Sequence, residues 1–125
     1  MTINLDNNGL KSIIENYDLF FIDLWGVVHN GVKLNEKAID VLAKISEAKK
    51  NYILLTNAPR PNSIVKIFLE KMGMNKNMRE NVYTSGEAAL SYLKKNFLEQ
   101  SFYHIGPSRD FDLFIDFKNK KTQDI

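Results

Sequence analysis

FFIDLWGVVHNG, residues 20–31, is the stretch on which the fold turns. With Leu19 in front it begins as a nearly continuous apolar run, LFFID, the pattern of a strand buried on both faces. It closes on a carboxylate, Asp23, then passes through Trp25 and Gly26 into the turn-prone His29-Asn30-Gly31. Desolvating a carboxylate at the end of a buried strand is costly unless a positive group meets it. On one reading Asp23 is a nucleophile or hard oxygen ligand that meets a phosphoryl group or a metal. On the other it is a helix cap or a loop ion-pair partner, the commoner fate of a lone Asp.

Outward from this stretch the same pattern recurs. Before it, Asn7 or Asn8 is placed to cap a helix carrying Leu10, Ile13, Ile14 and Tyr17 on one face. After it, Asn35 is placed to cap a helix with an Ala38, Val41, Leu42, Ile45 stripe that closes on Lys49 and Lys50. YILLT (52–56) predicts a second strand, broken by NAPRP. Asn62 or Ser63 then caps a helix with Ile64, Val65, Phe68, Leu69 and Met72 inward, ended by Gly73. VYT (82–84) predicts a third strand feeding Ser85-Gly86, where Ser85 reads as an N-cap, and a helix to about Leu98. FYHIG (102–106) reads as a further strand, and FDLFIDF (111–117) is ambiguous between strand and helix.

Strands alternating with helices of this length mean βαβ units and an α/β fold, a Rossmann-like three-layer parallel sheet. Ligands of such sheets sit beyond the carboxyl ends of the strands. That rule selects Asp23 to Gly31, Thr56 to Arg60, and Ser85-Gly86. A hydroxyl and an amide at Thr56-Asn57 can donate to phosphate oxygens, although Asn before Ala-Pro is also plain turn chemistry. At successive strand ends, these residues together favour a phosphate pocket. No Gly-rich loop follows the first strand, which counts against a nucleotide binder of the same architecture.

The totals bound the rest. The chain has 125 residues, a net charge of +2 from 17 basic and 15 acidic residues, and no cysteine. Such a balance gives no electrostatic footprint for nucleic acid. Lack of cysteine removes thiolate metal sites and disulfides and fits a reducing, cytoplasmic compartment. No apolar run is long enough to predict a membrane span, and MTINLDNNGL has none of the marks of a signal peptide.

The motif residues carry a family resemblance. FFIDLWGVVHNG resembles motif I of the haloacid dehalogenase superfamily, an apolar strand followed by Asp-x-Asp-Gly, and ILLTNAPRP resembles motif II. Their spacing, with VYTSGEAALSYL and FYHIGPSRDFDLF after them, is similar to subfamily IIA, the NagD and p-nitrophenyl phosphatase type. The resemblance implies that Asp23 is the nucleophile forming an aspartyl-phosphate and a Mg²⁺ ligand. It also implies that the backbone carbonyl of Trp25 is a second metal ligand, and that Thr56 binds the phosphoryl group with Asn57 beside it. The implied substrate is a small phosphorylated metabolite.

Two departures from the pattern shape the expectation. Trp25 stands where the phosphatases carry a second aspartate, and indole is a donor only. It marks a specialised branch, in which it lines a substrate pocket, or a site that no longer turns over efficiently. His29 is then either a substitute proton carrier or a histidine packed over the pocket mouth. The family's motif III lysine and motif IV acidic pair are not found after Gly106, where Asp110, Asp112 and Asp116 read as surface residues. Thr122 looks like a helix N-cap with no helix after it. The expected organisation is therefore the N-terminal part of the core over 1–100 and the start of a cap region or an extension over 101–125. The expected function is a Mg²⁺-dependent phosphatase of small esters, represented by an incomplete fragment. Its expected partner is a complementing C-terminal half or further copies of itself. The alternative is a catalytically inactive fragment acting as a binding module or a decayed gene product.

Overall fold

LFFID, NYILLT and VYT become the three strands of the protein: β1 (Leu19–Asp23), β2 (Asn51–Thr56) and β3 (Val82–Thr84). The computed structural model describes residues 5–123. The strands form a small parallel sheet in the order β1-β2-β3, with helices between them, the α/β class the sequence predicts. The helices are α1 (Leu5–Asn8), α2 (Glu36–Glu47), α3 (Asn62–Lys71), α4 (Lys76–Arg79) and α5 (Ser85–Asn96). The chain divides into two compact units, residues 1–54 and 55–125.

In the first unit the core comprises Leu24, Val28, Leu42, Ile45, Tyr52 and Leu54, each at most 5% exposed. Asn35 caps α2 as expected, its side chain accepting from the Lys37 amide. Leu42 and Ile45 of the α2 stripe are buried, whereas Val41 is exposed. Two expectations need correction. The single helix through Tyr17 is instead α1 followed by two 3₁₀ turns, Leu10–Ser12 and Ile14–Asn16, because Gly9 takes a positive φ of 65° that no helix continues through. β1 is not buried on both faces: Leu19 and Phe21 are 42% and 64% exposed, while Phe20 and Ile22 on the alternate face are half-buried.

The second unit packs α3 against β3 and α4, and α5 against β3 and a 3₁₀ segment, Ser108–Lys120. Its buried side chains are Val65, Leu69, Met74, Val82, Thr84, Leu90 and Phe117. Ile64 and Phe68 of α3, expected inward, are exposed. No strand forms at 102–106; Phe102 makes only an isolated bridge to Lys121. Its ring instead packs on Phe114 and Phe117, with centroids 5.5 and 6.3 Å away. The ambiguous 111–117 stretch is helical in type, within Ser108–Lys120. The Thr122 amide and hydroxyl both donate to the Phe102 carbonyl.

Candidate functional site

Asp23 is the last residue of β1, and its side chain is exposed. The chain then turns sharply: the Leu24 carbonyl accepts from the amides of Val28 and His29, and the Gly26 amide donates to the His29 carbonyl. Gly26 holds a φ of 79°, a left-handed conformation that glycine takes without a Cβ penalty. The sharp turn exposes Trp25 (62%) and buries His29 (5%).

The two rings meet edge to face, centroids 5.5 Å apart at 89°. The His29 Nδ1 accepts from the Gly31 amide at 3.0 Å, which leaves the proton of the neutral imidazole on Nε2. Burial holds the His29 pKa below its ordinary value, and the negative charge of Asp23 partly offsets this. Asn30 closes the loop, its Oδ1 accepting from the amides of Val32 and Lys33 at 3.0 Å each. A solvent-open pocket of about 430 Å³ lies against Gly26, His29, Asn30, Lys33 and Lys37.

Thr56 ends β2 half-buried, and its Oγ1 accepts from the Ala58 amide at 3.2 Å. As a hydroxyl it keeps a proton to donate elsewhere. Asn57 is exposed. The loop that follows is tied down through Arg60. Arg60 donates to the Arg109 carbonyl at 2.8 Å and pairs with Asp110 at 3.1 Å. The N-cap of α5 is Thr84 rather than Ser85, accepting from the Glu87 amide at 2.9 Å. Pro61, not Asn62 or Ser63, occupies the N-cap of α3, while the Asn62 side chain accepts from the Thr84 amide.

Among Asp110, Asp112 and Asp116, Asp110 is occupied by Arg60 and Asp116 by Lys94 at 2.6 Å; the Asp112 side chain lies outside the described residues. Among the described residues no group of three or more His, Cys, Asp and Glu side chains is placed to hold a metal ion. Asp23 and the Trp25 carbonyl are nevertheless hard oxygen donors two residues apart. They fit the kind of Mg²⁺ site that uses one or two carboxylates and keeps several waters.

β1 thus ends on an exposed aspartate, and β2 on a half-buried threonine. Residues 20–117 match the family model described as haloacid dehalogenase-like hydrolase, and the chain belongs to that family. It is similar to a hydrolase of the haloacid dehalogenase-like family from Brucella suis 1330, at 31% identity and a TM-score of 0.72. That match covers 85% of this chain and 38% of the relative. The fold is shared with p-nitrophenyl phosphatase from Archaeoglobus fulgidus: 16% identity, TM-score 0.65, 83% of this chain and 39% of that one. It is also shared with glycerol phosphate phosphatase from Mycobacterium tuberculosis, solved in complex with magnesium: 22% identity, TM-score 0.62, covering 87% and 32%. The chain thus spans about two-fifths of the length of the solved relatives it matches, or less. None of the curated proteins compared with it matches the chain. Among the described residues no helix is long and apolar enough to cross a membrane.

Proposed function

We propose that the chain supplies the nucleophile and the phosphoryl-binding loop of a Mg²⁺-dependent phosphatase acting on small phosphate esters. The observation that carries this reading is the exposed carboxylate of Asp23 at the carboxyl end of β1, inside the residues that match the family. An Asp23 oxygen attacks phosphorus in line as the bond from phosphorus to the ester oxygen breaks, giving an aspartyl-phosphate and the freed alkoxide. Water then attacks phosphorus as the bond from phosphorus to the Asp23 oxygen breaks, releasing inorganic phosphate and restoring the carboxylate, and the proton that water gives up leaves the alkoxide as the alcohol. Thr56 donates its hydroxyl proton to a phosphoryl oxygen, and Asn57 stands beside it. Asp23 and the Trp25 carbonyl would hold Mg²⁺, which when bound neutralises charge on the phosphoryl oxygens. Phosphoryl transfer depends on positioning and charge neutralisation more than on covalent chemistry by the protein.

The relatives are longer than this chain, and a complementing segment would be the partner of these elements in turnover. The cysteine-free composition is compatible with a cytoplasmic setting. Trp25 favours a second reading. Without an acid at that position the leaving oxygen gets no proton from the motif, and a silent phosphate-binding module results. Phosphate release measured with and without Mg²⁺ separates the two. Release that vanishes in Asp23→Asn supports the phosphatase; release that survives this change sinks it.

A further inference from the structure

The carbonyls of the loop after Thr56 point at the head of α5. Ser85 Oγ donates to the Asn57 carbonyl at 3.0 Å and lies 3.1 Å from the Ala58 carbonyl. The Gly86 amide donates to the Ala58 carbonyl at 3.2 Å, and Thr84 Oγ1 donates to the Arg60 carbonyl. Glu87 accepts from the Asn62 amide at 2.9 Å. Gly86 is the clearance for this approach, because a methyl group there would stand 2.5 Å from both the backbone N and O of Arg60.

One of these bonds reaches Thr56 itself. In a trans peptide the C=O of one residue and the N–H of the next point in opposite directions across a rigid plane. The Asn57–Ala58 peptide therefore has Ser85 on its carbonyl side and Thr56 Oγ1 on its amide side, where the Ala58 N–H donates at 3.2 Å. The adjoining carbonyls of Ala58 and Arg60 precede Pro59 and Pro61, which have no N–H to offer a competing orientation. We infer that Ser85 is a positioning residue for Thr56. It fixes the Asn57–Ala58 plane, the plane fills the acceptor side of the Thr56 hydroxyl, and the Thr56 proton is left directed at a phosphoryl oxygen. Chained hydrogen bonds of this kind polarise one another, so the donor strength of Thr56 also depends on Ser85. The inference rests on the phosphate-binding role given to Thr56 above.

The test uses the full chain and inorganic phosphate with Mg²⁺ as the probe. Affinity is read by calorimetry, fold by the urea midpoint, and the plane by hydrogen exchange of the Ala58 amide. Ser85 is exposed, so Ser85→Ala is expected to keep the wild-type urea midpoint. Ala58 exchange speeds up, and phosphate binds roughly five- to tenfold more weakly, the size of one lost hydrogen bond. Ser85→Thr, which keeps the hydroxyl, restores both. Gly86→Ala pushes the loop away and weakens phosphate binding in the same direction. Phosphate affinity in Ser85→Ala equal to wild type overturns the inference, whether or not Ala58 exchange changes. Wild-type protein that binds no phosphate fails the parent reading and the inference together. That outcome is told apart by appearing before any substitution is made.

Discussion

The indole of Trp25 and the buried imidazole of His29 meet at right angles, and the indole's six-membered ring covers the Cα of Gly31 so closely that a methyl there would lie 2.5 Å from Cη2. The residue that replaces the expected second aspartate is therefore built into the loop. It is held on two sides and still 62% exposed. Both features bear on what the motif can do.

The first consequence concerns leaving groups. Indole at position 25 is a donor only and takes the place of the motif's acid, so on the proposed phosphatase reading hydrolysis should favour esters whose leaving group is stable as an anion. Trp25→Asp should raise turnover of an alkyl phosphate by about 10²-fold, the low end of general acid catalysis. It should change turnover of p-nitrophenyl phosphate little. Equal effects on both substrates would show that Trp25 does not stand in for the acid.

A second consequence is mechanical. Gly31 has a φ of 88° and no room for a Cβ beneath Trp25, so Gly31→Ala must move the indole and strain the backbone. Left-handed backbone costs an L-residue about 1–2 kcal/mol, and the collision adds to this. Trp25 is the sole tryptophan, so its fluorescence reports the loop directly. A shifted emission maximum with a lowered urea midpoint is expected; an unchanged spectrum would mean the indole is not seated on Gly31.

His29 gives the fold a pH dependence of defined sign. Burial lowers its pKa in the folded state below the value in the unfolded chain, so the unfolded chain binds the proton more readily. His29's contribution is complete above the unfolded value of about 6.5 and is lost as pH falls through the lowered folded value. The urea midpoint of wild type should drop relative to that of His29→Gln as the pH is taken from about 7.5 to about 5. Parallel curves for the two proteins would remove His29 as the source.

In the second unit the core makes an ordinary packing prediction. Leu69 is fully buried in α3. Leu69→Ala should cost about 2–5 kcal/mol in unfolding free energy. A loss under about 1 kcal/mol, read from denaturant curves, would mean that the site collapses around the cavity or is not core.

Much of this architecture is legible locally. β1 and β3 begin and end where LFFID and VYT do, β2 starts one residue before YILLT, and Asn35 caps α2, because each follows from a run of side chains next to one another in sequence. The misses are of another kind. Gly9 breaks the first helix through a backbone angle that the apolar spacing around it does not report. FYHIG has strand composition, yet Phe102 finds aromatic partners in Phe114 and Phe117 rather than a neighbouring strand. Ser85 reads as a cap because Ser is a good one, but Thr84 takes the cap and frees Ser85 for carbonyls 27 and 28 residues away. Asp23, Thr56 and Asn57 stand out at strand ends in the sequence. His29, four positions from Trp25, is open to reading as a packed loop residue, whereas Ser85 behind Asn57 depends on a contact 28 residues away that no local pattern shows.

The most direct test of the account is to look for the covalent intermediate. The 125 residues, or a longer protein containing them, would be mixed with Mg²⁺ and p-nitrophenyl phosphate, quenched in acid and mapped by mass spectrometry. A phosphoryl group is expected on the peptide carrying Asp23, absent without Mg²⁺ and absent in Asp23→Asn. A phosphoryl group on another residue, or phosphate release with no modification of Asp23 at any time, would contradict it.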